Sequence, residues 1–585
     1  MISKLSNKST SVNSSNKGIN IIRLMDSAFL TIIVIMSAVL YLSDLGFYSD
    51  DWFHLAEFIT SDDQSFNGLF LSQWNHSHNL HRKPTQILYQ TTLYSLFGIR
   101  PLGYHIVNSV MLSLMSILLY WTLRQLGIPR LLAVAISAVY ALIPNYSTDR
   151  FWWAAFGYTL TMCLYFLSLY ADLRAIQSNL NSLIIWKLLA IVGLIFGSLS
   201  YEIIIPLFFL NPLLVCIQNR RFNQVSLHER LGTIGIAVYF GSHFLVLALV
   251  IAYKSLFAIG GGFAVPDTME SVIRFGLSSI GPNFGTYVLG LPQAFYWAFQ
   301  NSSGLILVMS LILGAFVFIY ITHTTRAEET ALLSEMNNRE WLRLAGGGIF
   351  VFLLGYSIFF VAIGRIIFAS SSYGNRWAIA GALGVSIFWI SLLGWLNNLL
   401  PKIISRKYGF PVLVAVLCSS GFLINNTLAQ DHVAAWSEEK LILDEIRTNF
   451  PKLKPNTTLI LLGSCPYIGS AMVFARYDLE GALWVMYRDK TLRADVGSKI
   501  SVEPTGLVID TFDHSARYPY NNLLFIYDRE RKLVKSIPDM QSALDYFGTN
   551  KVDWPNNCPQ GTMDIGAPIF PADKLYIKWK IPNFP

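Results

Sequence analysis

The chain has 585 residues; 53% are AVILMFWYC and only 14% are Asp, Glu, Lys or Arg, where a soluble domain carries about 25% charged residues. With a mean hydropathy of +0.45, this excludes disorder, a disulfide mini-fold and an ordinary soluble enzyme. Residues 430–585 hold 18 basic and 19 acidic side chains against 25 and 17 in the first 429, so the net charge of +7 arises in the apolar part, and without a contiguous basic face it does not indicate nucleic acid.

Residues 1–26 read as a cytoplasmic tail, the first 20 rich in Ser, Asn and Lys and disordered. A helix needs roughly 20 mostly apolar residues to cross a bilayer. Eleven segments qualify, near 27–46, 103–123, 131–147, 154–172, 185–201, 203–218, 232–253, 303–323, 345–368, 377–397 and 410–428. The first is not a cleaved signal, because Gly46-Phe47-Tyr48 and two aspartates follow it rather than a small-residue cleavage site. The short spacing at 201–203 makes two spans a tight hairpin or one broken segment. With the N-terminus inside, the inner loops carry seventeen Lys and Arg and the outer loops eight, which sets that orientation and leaves the C-terminal segment outside. The protein is thus predicted to be a multi-pass protein of a prokaryotic plasma membrane, with a transmembrane domain over 27–429.

Two outer loops are long, 47–102 and 254–302, the second containing Gly260-Gly261-Gly262. Thr85–Phe97 is predicted as an amphipathic surface helix, and Met269–Ile280 as a similar shorter one. The segment 430–585 is predicted to be a soluble α/β domain. Ala434–Phe450 reads as a helix, and Thr458–Leu462, Leu507–Ile509 and Leu523–Tyr527 as strands. The turn at Gly463-Ser464-Cys465-Pro466 lacks the glycine pattern of a dinucleotide or P-loop site. Cys163, Cys216 and Cys418 lie in apolar runs and read as inert core thiols. Cys465 and Cys558 are able to form one disulfide if the tail is outside, and no zinc spacing exists.

Three clusters bear chemistry. In Tyr48-Ser49-Asp50-Asp51-Trp52-Phe53-His54-Leu55-Ala56-Glu57, Asp50, His54 and Glu57 share one face if the stretch is helical. The plain reading is a solvated helix start. The functional one is a general base above the bilayer, and Asp50, His54 and Glu57 also suit a divalent cation such as Mg or Mn. In Asn75-His76-Ser77-His78-Asn79-Leu80-His81-Arg82-Lys83-Pro84, Arg82 and Lys83 suit a phosphate at the membrane surface, or simple attraction to lipid headgroups. In Gly103-Tyr104-His105-Ile106-Val107-Asn108, His105 and Asn108 lie one turn apart at the outer end of a span, where they face the bundle or cap the interface.

Taken together, Asp50-Asp51, His81-Arg82-Lys83-Pro84, Leu96-Phe97-Gly98 and Gly103-Tyr104-His105-Ile106-Val107-Asn108 resemble the start of GT-C integral-membrane glycosyltransferases. The nearest branch is that of the protein O-mannosyltransferases and their bacterial relatives. The resemblance covers about residues 27–220; beyond them it rests on architecture. Two departures stand out. Lys83 splits the Arg-Pro element, and the family's Ser-Lys-Glu reads Ser200-Tyr201-Glu202 here, with Pro206 following. Arg376-Trp377 resembles the family's late Arg-aromatic pair.

The resemblance implies an inverting transferase that moves a sugar from a polyprenyl-phosphate donor to an acceptor hydroxyl on the outer side. Asp50 would be the base, with Asp51 orienting the acceptor or sharing that role. Arg82, Lys83, His105 and Arg376 would hold the donor phosphate, and His54, Glu57, His81, Asn108 and Glu202 would support the site. The partners implied are membrane lipid, the lipid-linked sugar and a glycan, lipid or protein acceptor. A lipid-linked glycan polymerase, ligase or exporter is the competing reading, and a membrane protein whose tail alone does the work is another.

Overall fold

The computed structural model describes residues 16–76, 80–222, 227–257, 283–285, 288, 290–324, 335–359, 372–400, 408–474, 476–497, 499–511 and 514–548. Helix α1 (Asn16–Ala38) begins inside the segment expected as a tail. The first outer loop folds into α2 (Asp51–Ile59), α3 (Phe66–His76) and α4 (Pro84–Phe97). Then come α5 (Pro101–Gln125), α6 (Arg130–Leu142), a series of short helical turns over 144–155, α7 (Phe156–Gln177) and α8 (Leu180–Ser198). After a turn over 202–208 follow α9 (Leu210–Phe222) and α10 (Leu227–Leu256), which breaks at Gly232. The remaining helices of this part are α11 (Leu291–Asn301), α12 (Gly304–Thr324), α13 (Asn338–Tyr356), α14 (Ile379–Asn397) and α15 (Phe410–Asn449).

Among the described residues nine helical segments are long and apolar enough to cross a membrane. The chain is an integral multi-pass protein. Two of the eleven expected spans fall outside that set. The one near 131–147 is the 13-residue α6, because Pro144 ends it and starts a tighter turn. The one near 345–368 is α13 up to Tyr356, which carries Arg339, Glu340 and Arg343 in its first turns; its end, 360–368, lies outside the described residues. The tight pair at 185–201 and 203–218 is a hairpin, α8 and α9 joined through Glu202–Phe208. The helix expected at Met269–Ile280 lies outside the described residues, and α11 forms at the end of that loop. Thr85–Phe97 is helical as expected, but it is not amphipathic: its buried residues mix Thr85, Gln86, Gln90 and Thr91 with Ile87 and Leu93, while Leu88 and Leu96 are exposed.

Apolar side chains point outward along the spans, Ile234 being 81% and Leu311 72% exposed. In water this would cost solubility; in lipid it costs nothing. Helices α13 and α14 touch backbone to backbone: a Cβ on Gly384 would lie 2.2 Å from Phe352 N, and one on Gly348 2.7 Å from Phe388 N. Asp26 of α1 is fully buried. Its Oδ2 accepts from Arg130 Nε (2.8 Å) and Tyr120 Oη (2.5 Å), and its Oδ1 from Arg130 Nη2 (2.5 Å) and Tyr320 Oη (2.7 Å). One carboxylate thus ties four helices.

The C-terminal segment is α/β, as expected. Strands β1 (Thr458–Leu462), β4 (Arg493–Val496), β8 (Leu524–Asp528) and β9 (Leu533–Ser536) form a sheet in the order β4-β1-β8-β9, parallel except for β9. Strands β2 (Tyr467–Ile468) and β3 (Ala471–Met472) make a hairpin, and β5 (Lys499–Glu503), β6 (Gly506–Thr511) and β7 (His514–Tyr518) an antiparallel sheet. Helix α16 (Arg476–Tyr487) crosses over from the hairpin to β4, and α17 (Met540–Phe547) closes the described chain. The period of two on β1 divides its side chains between cores: Leu459 and Leu461 join the main one, Ile460 and Leu462 the one with Leu507 and Ile526. Cys163, Cys216 and Cys418 are free and Cys465 is disulfide-bonded; the fifth cysteine, Cys558, lies outside the described residues.

Helix α15 runs unbroken from the membrane into this domain. The domain also grips the first outer loop. Gly481 of α16 sits so close to α2 that a Cβ would lie 2.8 Å from Phe53 N. Trp52 Nε1 donates to Glu439 Oε2 (2.8 Å), and Lys490 Nζ to the buried Glu57 Oε2 (2.8 Å). Loop and domain therefore occupy one side of the membrane. Lys490→Met removes the ammonium from a buried carboxylate, and the expected loss is about 2–3 kcal/mol. Faster cleavage of the outer domain in limited proteolysis is the readout; an unchanged rate would show the pair to be idle.

Candidate active site

The two adjacent aspartates lie in different environments. Ser49 adopts a left-handed backbone (φ 51°) just before them, a strain found where a turn is imposed by its surroundings. It turns Asp51 inward and leaves Asp50 half-buried at the start of α2. Asp51 is fully buried. Its Oδ2 accepts from Tyr48 N (2.9 Å) and Trp153 N (3.3 Å), its Oδ1 from Ala154 N (2.8 Å). Burial, then the charge of Asp50, raise its carboxyl well above the usual range, opposed by those three donors. Asp51 fastens the first loop to the 144–155 turns. Asp50 Oδ1 is buried without a hydrogen-bond partner.

Four cations from distant parts of the chain gather around Glu202 and Tyr201, and the charge of Asp50 also acts on Tyr201. Lys83 lies 4.2 Å from the centroid of the Tyr201 ring. Lys254 Nζ donates to Glu202 Oε2 (3.0 Å) and to the Arg82 carbonyl (2.9 Å). Arg82 Nη2 is 3.9 Å from Glu202 Oε1. Arg376 stacks over Trp152 (4.7 Å) and Trp377 (5.1 Å). Burial lowers Lys83 to about 8; Glu202 opposes this, and Lys254, Arg376 and Arg82 add to it. Tyr201 is the common platform. It stacks on Tyr158 at 3.8 Å and donates to the Ala154 carbonyl (3.2 Å). Gly157 lets it approach, since a Cβ there would lie 2.6 Å from the ring.

The 144–155 turns supply a second carboxylate that the sequence reading passed over. Asp149 is fully buried and neither of its oxygens has a hydrogen-bond partner. Burial raises its carboxyl well above the usual range, against the pull of Arg376 and Arg150. The turn around it is fixed: Asn108 Nδ2 donates to the Asp149 carbonyl (2.8 Å), and Asn375 accepts from Thr148 N (3.1 Å) and donates to Ser147 Oγ (2.7 Å). Asn375 thereby also fixes its neighbour Arg376. Lys254 was passed over too, read only as one charge in an outer loop.

The other expected residues serve the scaffold. His105 is buried with Nε2 2.9 Å from the Gly46 carbonyl, so it holds the first loop rather than standing among the four cations. His81 lies 2.6 Å from the Trp74 carbonyl and stacks on that ring at 4.5 Å. His54 packs edge-on to Trp153, 6.1 Å between centroids. Glu57 turns to Lys490. Asp50, His54 and Glu57 therefore do not assemble: among the described residues no three or more His, Cys, Asp or Glu side chains are grouped to hold a metal ion. Ser77, His78 and Asn79 of the histidine cluster lie outside the described residues.

No family model matches the chain, and no curated protein does. Solved structures do resemble it. ArnT from Cupriavidus metallidurans bound to undecaprenyl phosphate aligns at 12% identity and TM-score 0.35, over 82% of this chain and 86% of that one. The same protein in its apo state gives 14% identity and TM-score 0.36 over 80% and 85%. The Archaeoglobus fulgidus oligosaccharyltransferase tethered to an acceptor peptide gives 13% and 0.37 over 81% and 63%. Likeness at that level says nothing of chemistry, which has to come from the side chains.

Proposed function

We propose that the chain is an inverting glycosyltransferase that takes a sugar from a polyprenyl-phosphate donor and places it on an acceptor hydroxyl at the outer face of the membrane. One observation carries this reading: Asp50, a carboxylate with a buried, unbonded oxygen, acts on the same Tyr201 side chain as Arg376 and Glu202, beside the group formed by Arg82, Lys83, Lys254 and Arg376. That pairing suits a reaction in which a hydroxyl gives up a proton while a phosphate leaves.

The acceptor oxygen attacks the anomeric carbon from the face opposite the phosphate. Its proton passes to Asp50, the new C–O bond forms, and the bond from the anomeric carbon to the phosphate oxygen breaks. A single displacement inverts the centre. Positive charge at Lys83 and Arg376 takes up the charge developing on the leaving phosphate, in surroundings where burial strengthens it. Glu202 keeps Lys254 and Arg82 in place. An N-terminus inside and an outer domain outside fit this arrangement.

The test is turnover by the purified protein in lipid, supplied with polyprenyl-phosphate sugars and read as release of polyprenyl phosphate. Asp50→Asn should lower it by about a hundredfold or more; release at the wild-type rate after that change would overturn the assignment. Lys83 supplies a pH signature. Its ammonium is present below about 8 and lost above it, whereas an ordinary lysine keeps its charge to about 10.4. The KM for donor is therefore expected to rise several-fold as pH passes through about 8. Lys83→Arg, which stays charged, should remove that inflection. Lys254→Met should raise the donor KM by about tenfold or more, a loss of about 1.4 kcal/mol or greater, by releasing Glu202 toward the phosphate.

A further inference from the structure

The cations beside Glu202 are held in two different ways. Lys254 Nζ lies 3.0 Å from Glu202 Oε2 and Arg82 Nη2 3.9 Å from Glu202 Oε1, so one carboxylate faces both charges. Lys83 has no such partner. Among the described residues its ammonium makes no hydrogen bond and no ion pair; what it meets is the face of the Tyr201 ring, 4.2 Å from the centroid. A ring face attracts an ammonium through its quadrupole, yet it leaves the net charge whole. The N–H donors of the lysine stay unspent in a half-buried place, and enclosed donors without acceptors cost stability. Phosphate oxygens supply what is missing. Arg376 also rests on rings, over Trp152 and Trp377.

The Tyr201 ring is a fixed seat. Its extended backbone (φ −135°, ψ 143°) parts its side chain from that of Glu202 next to it. The ring is buried and stacks on Tyr158, 3.8 Å between centroids and 24° between planes. Gly157, one residue before Tyr158, admits the ring edge, where a Cβ would come within 2.6 Å. The Tyr201 hydroxyl donates to the Ala154 carbonyl (3.2 Å), and Ala154 N in turn donates to Asp51 Oδ1 (2.8 Å). One residue of the turn before α7 therefore fixes both the seat of Lys83 and the aspartate next to Asp50.

We infer that Tyr201 is a positioning residue for the donor: its ring holds the Lys83 ammonium, uncompensated, where the phosphate of the lipid-linked sugar docks. This rests on the transferase reading above and adds to it a residue that acts only through Lys83.

The test is binding of a fluorescent polyprenyl phosphate to the full chain in phosphatidylcholine nanodiscs, with the matching polyprenol as the uncharged control. Wild type should prefer the phosphate by about tenfold or more, and no preference would overturn the inference. Tyr201→Leu should weaken the phosphate about tenfold and leave the polyprenol within about twofold, while Tyr201→Phe, which keeps the ring, should stay within about threefold of wild type. In a Lys83→Met background Tyr201→Leu should cost nothing further, because coupled residues are not additive. Turnover should show the same change as a higher donor KM with kcat nearly unchanged. Melting reports whether Tyr201→Leu is folded. If it is not, phenylalanines carrying more and more fluorine at position 201 decide, since they keep the shape while drawing charge from the ring face. Phosphate affinity should then fall stepwise along the series. A flat series, a loss in the folded Leu variant that polyprenol shares, or a full further loss in the Lys83→Met background would each overturn the inference. Failure of the transferase reading looks different: phosphate binding follows the ring, yet no polyprenyl phosphate is released from any donor. Release that depends on Asp50, together with a flat fluorine series, would keep the transferase and remove the role of Tyr201.

Discussion

Asp50→Asn is expected to lower kcat by about 10²–10⁴-fold, the usual contribution of a positioned base, with the KM for donor within a few-fold of wild type and thermal stability unchanged. The contrast with its neighbour makes this decisive. Asparagine at 50 keeps the size of a side chain that makes no hydrogen bond through its buried Oδ1, so only the proton acceptor is lost. Asn at 51 presents an NH₂ group to backbone N–H donors, where the carboxylate now accepts three of them. Asp51→Asn should therefore lower the melting temperature as well as activity, because a buried donor facing a donor costs about 1–3 kcal/mol. Equal losses of stability in both variants would show that the two aspartates share one structural role and that the base lies elsewhere.

The largest effect on stability is expected at the opposite end of the bundle. Arg130→Ala leaves the Asp26 carboxylate buried without its guanidinium, and removing one partner of a buried pair costs about 3–5 kcal/mol. Tyr120 and Tyr320 would still donate to Asp26, which places the expected value toward the lower end. The double change Asp26→Leu with Arg130→Met should recover most of the loss, since replacing both charges by apolar groups is often neutral. Melting in detergent reads the difference. Transfer activity of the surviving folded protein should hardly move, because the node lies at the start of α6, at the other end of that helix from the 144–155 turns.

The spans were legible because lipid makes hydropathy a direct record of depth, and α6 was overestimated because Pro144 acts on backbone geometry that hydropathy does not register. Asp50 was legible as one of a pair. That Asp51 is an anchor was not, since its donors Trp153 and Ala154 come from a turn a hundred residues on. Lys254 and Asp149 escaped for the same reason: each acquires meaning only beside a partner from elsewhere, Glu202 for one and Arg376 for the other. The lysine of the resembled family is replaced by Tyr201, yet Lys83 lies over the ring of Tyr201 and Lys254 reaches Glu202. The positive charge is restored in space from positions no spacing rule connects. His105 shows the converse, a motif residue whose ring is engaged by the Gly46 carbonyl.

The contact between Trp52 and Glu439 joins positions 387 apart in the chain, and it has a bearing on how the protein is made. During synthesis the first loop emerges early and waits, its tryptophan and buried acids lacking their lids, while every later helix is threaded into the bilayer. Only when the residues beyond α15 have been translated and exported do α16 and the hairpin close over it. A chain cut off before that point lacks the packing of α16 on α2 and the Lys490–Glu57 pair, so its first loop stays uncovered.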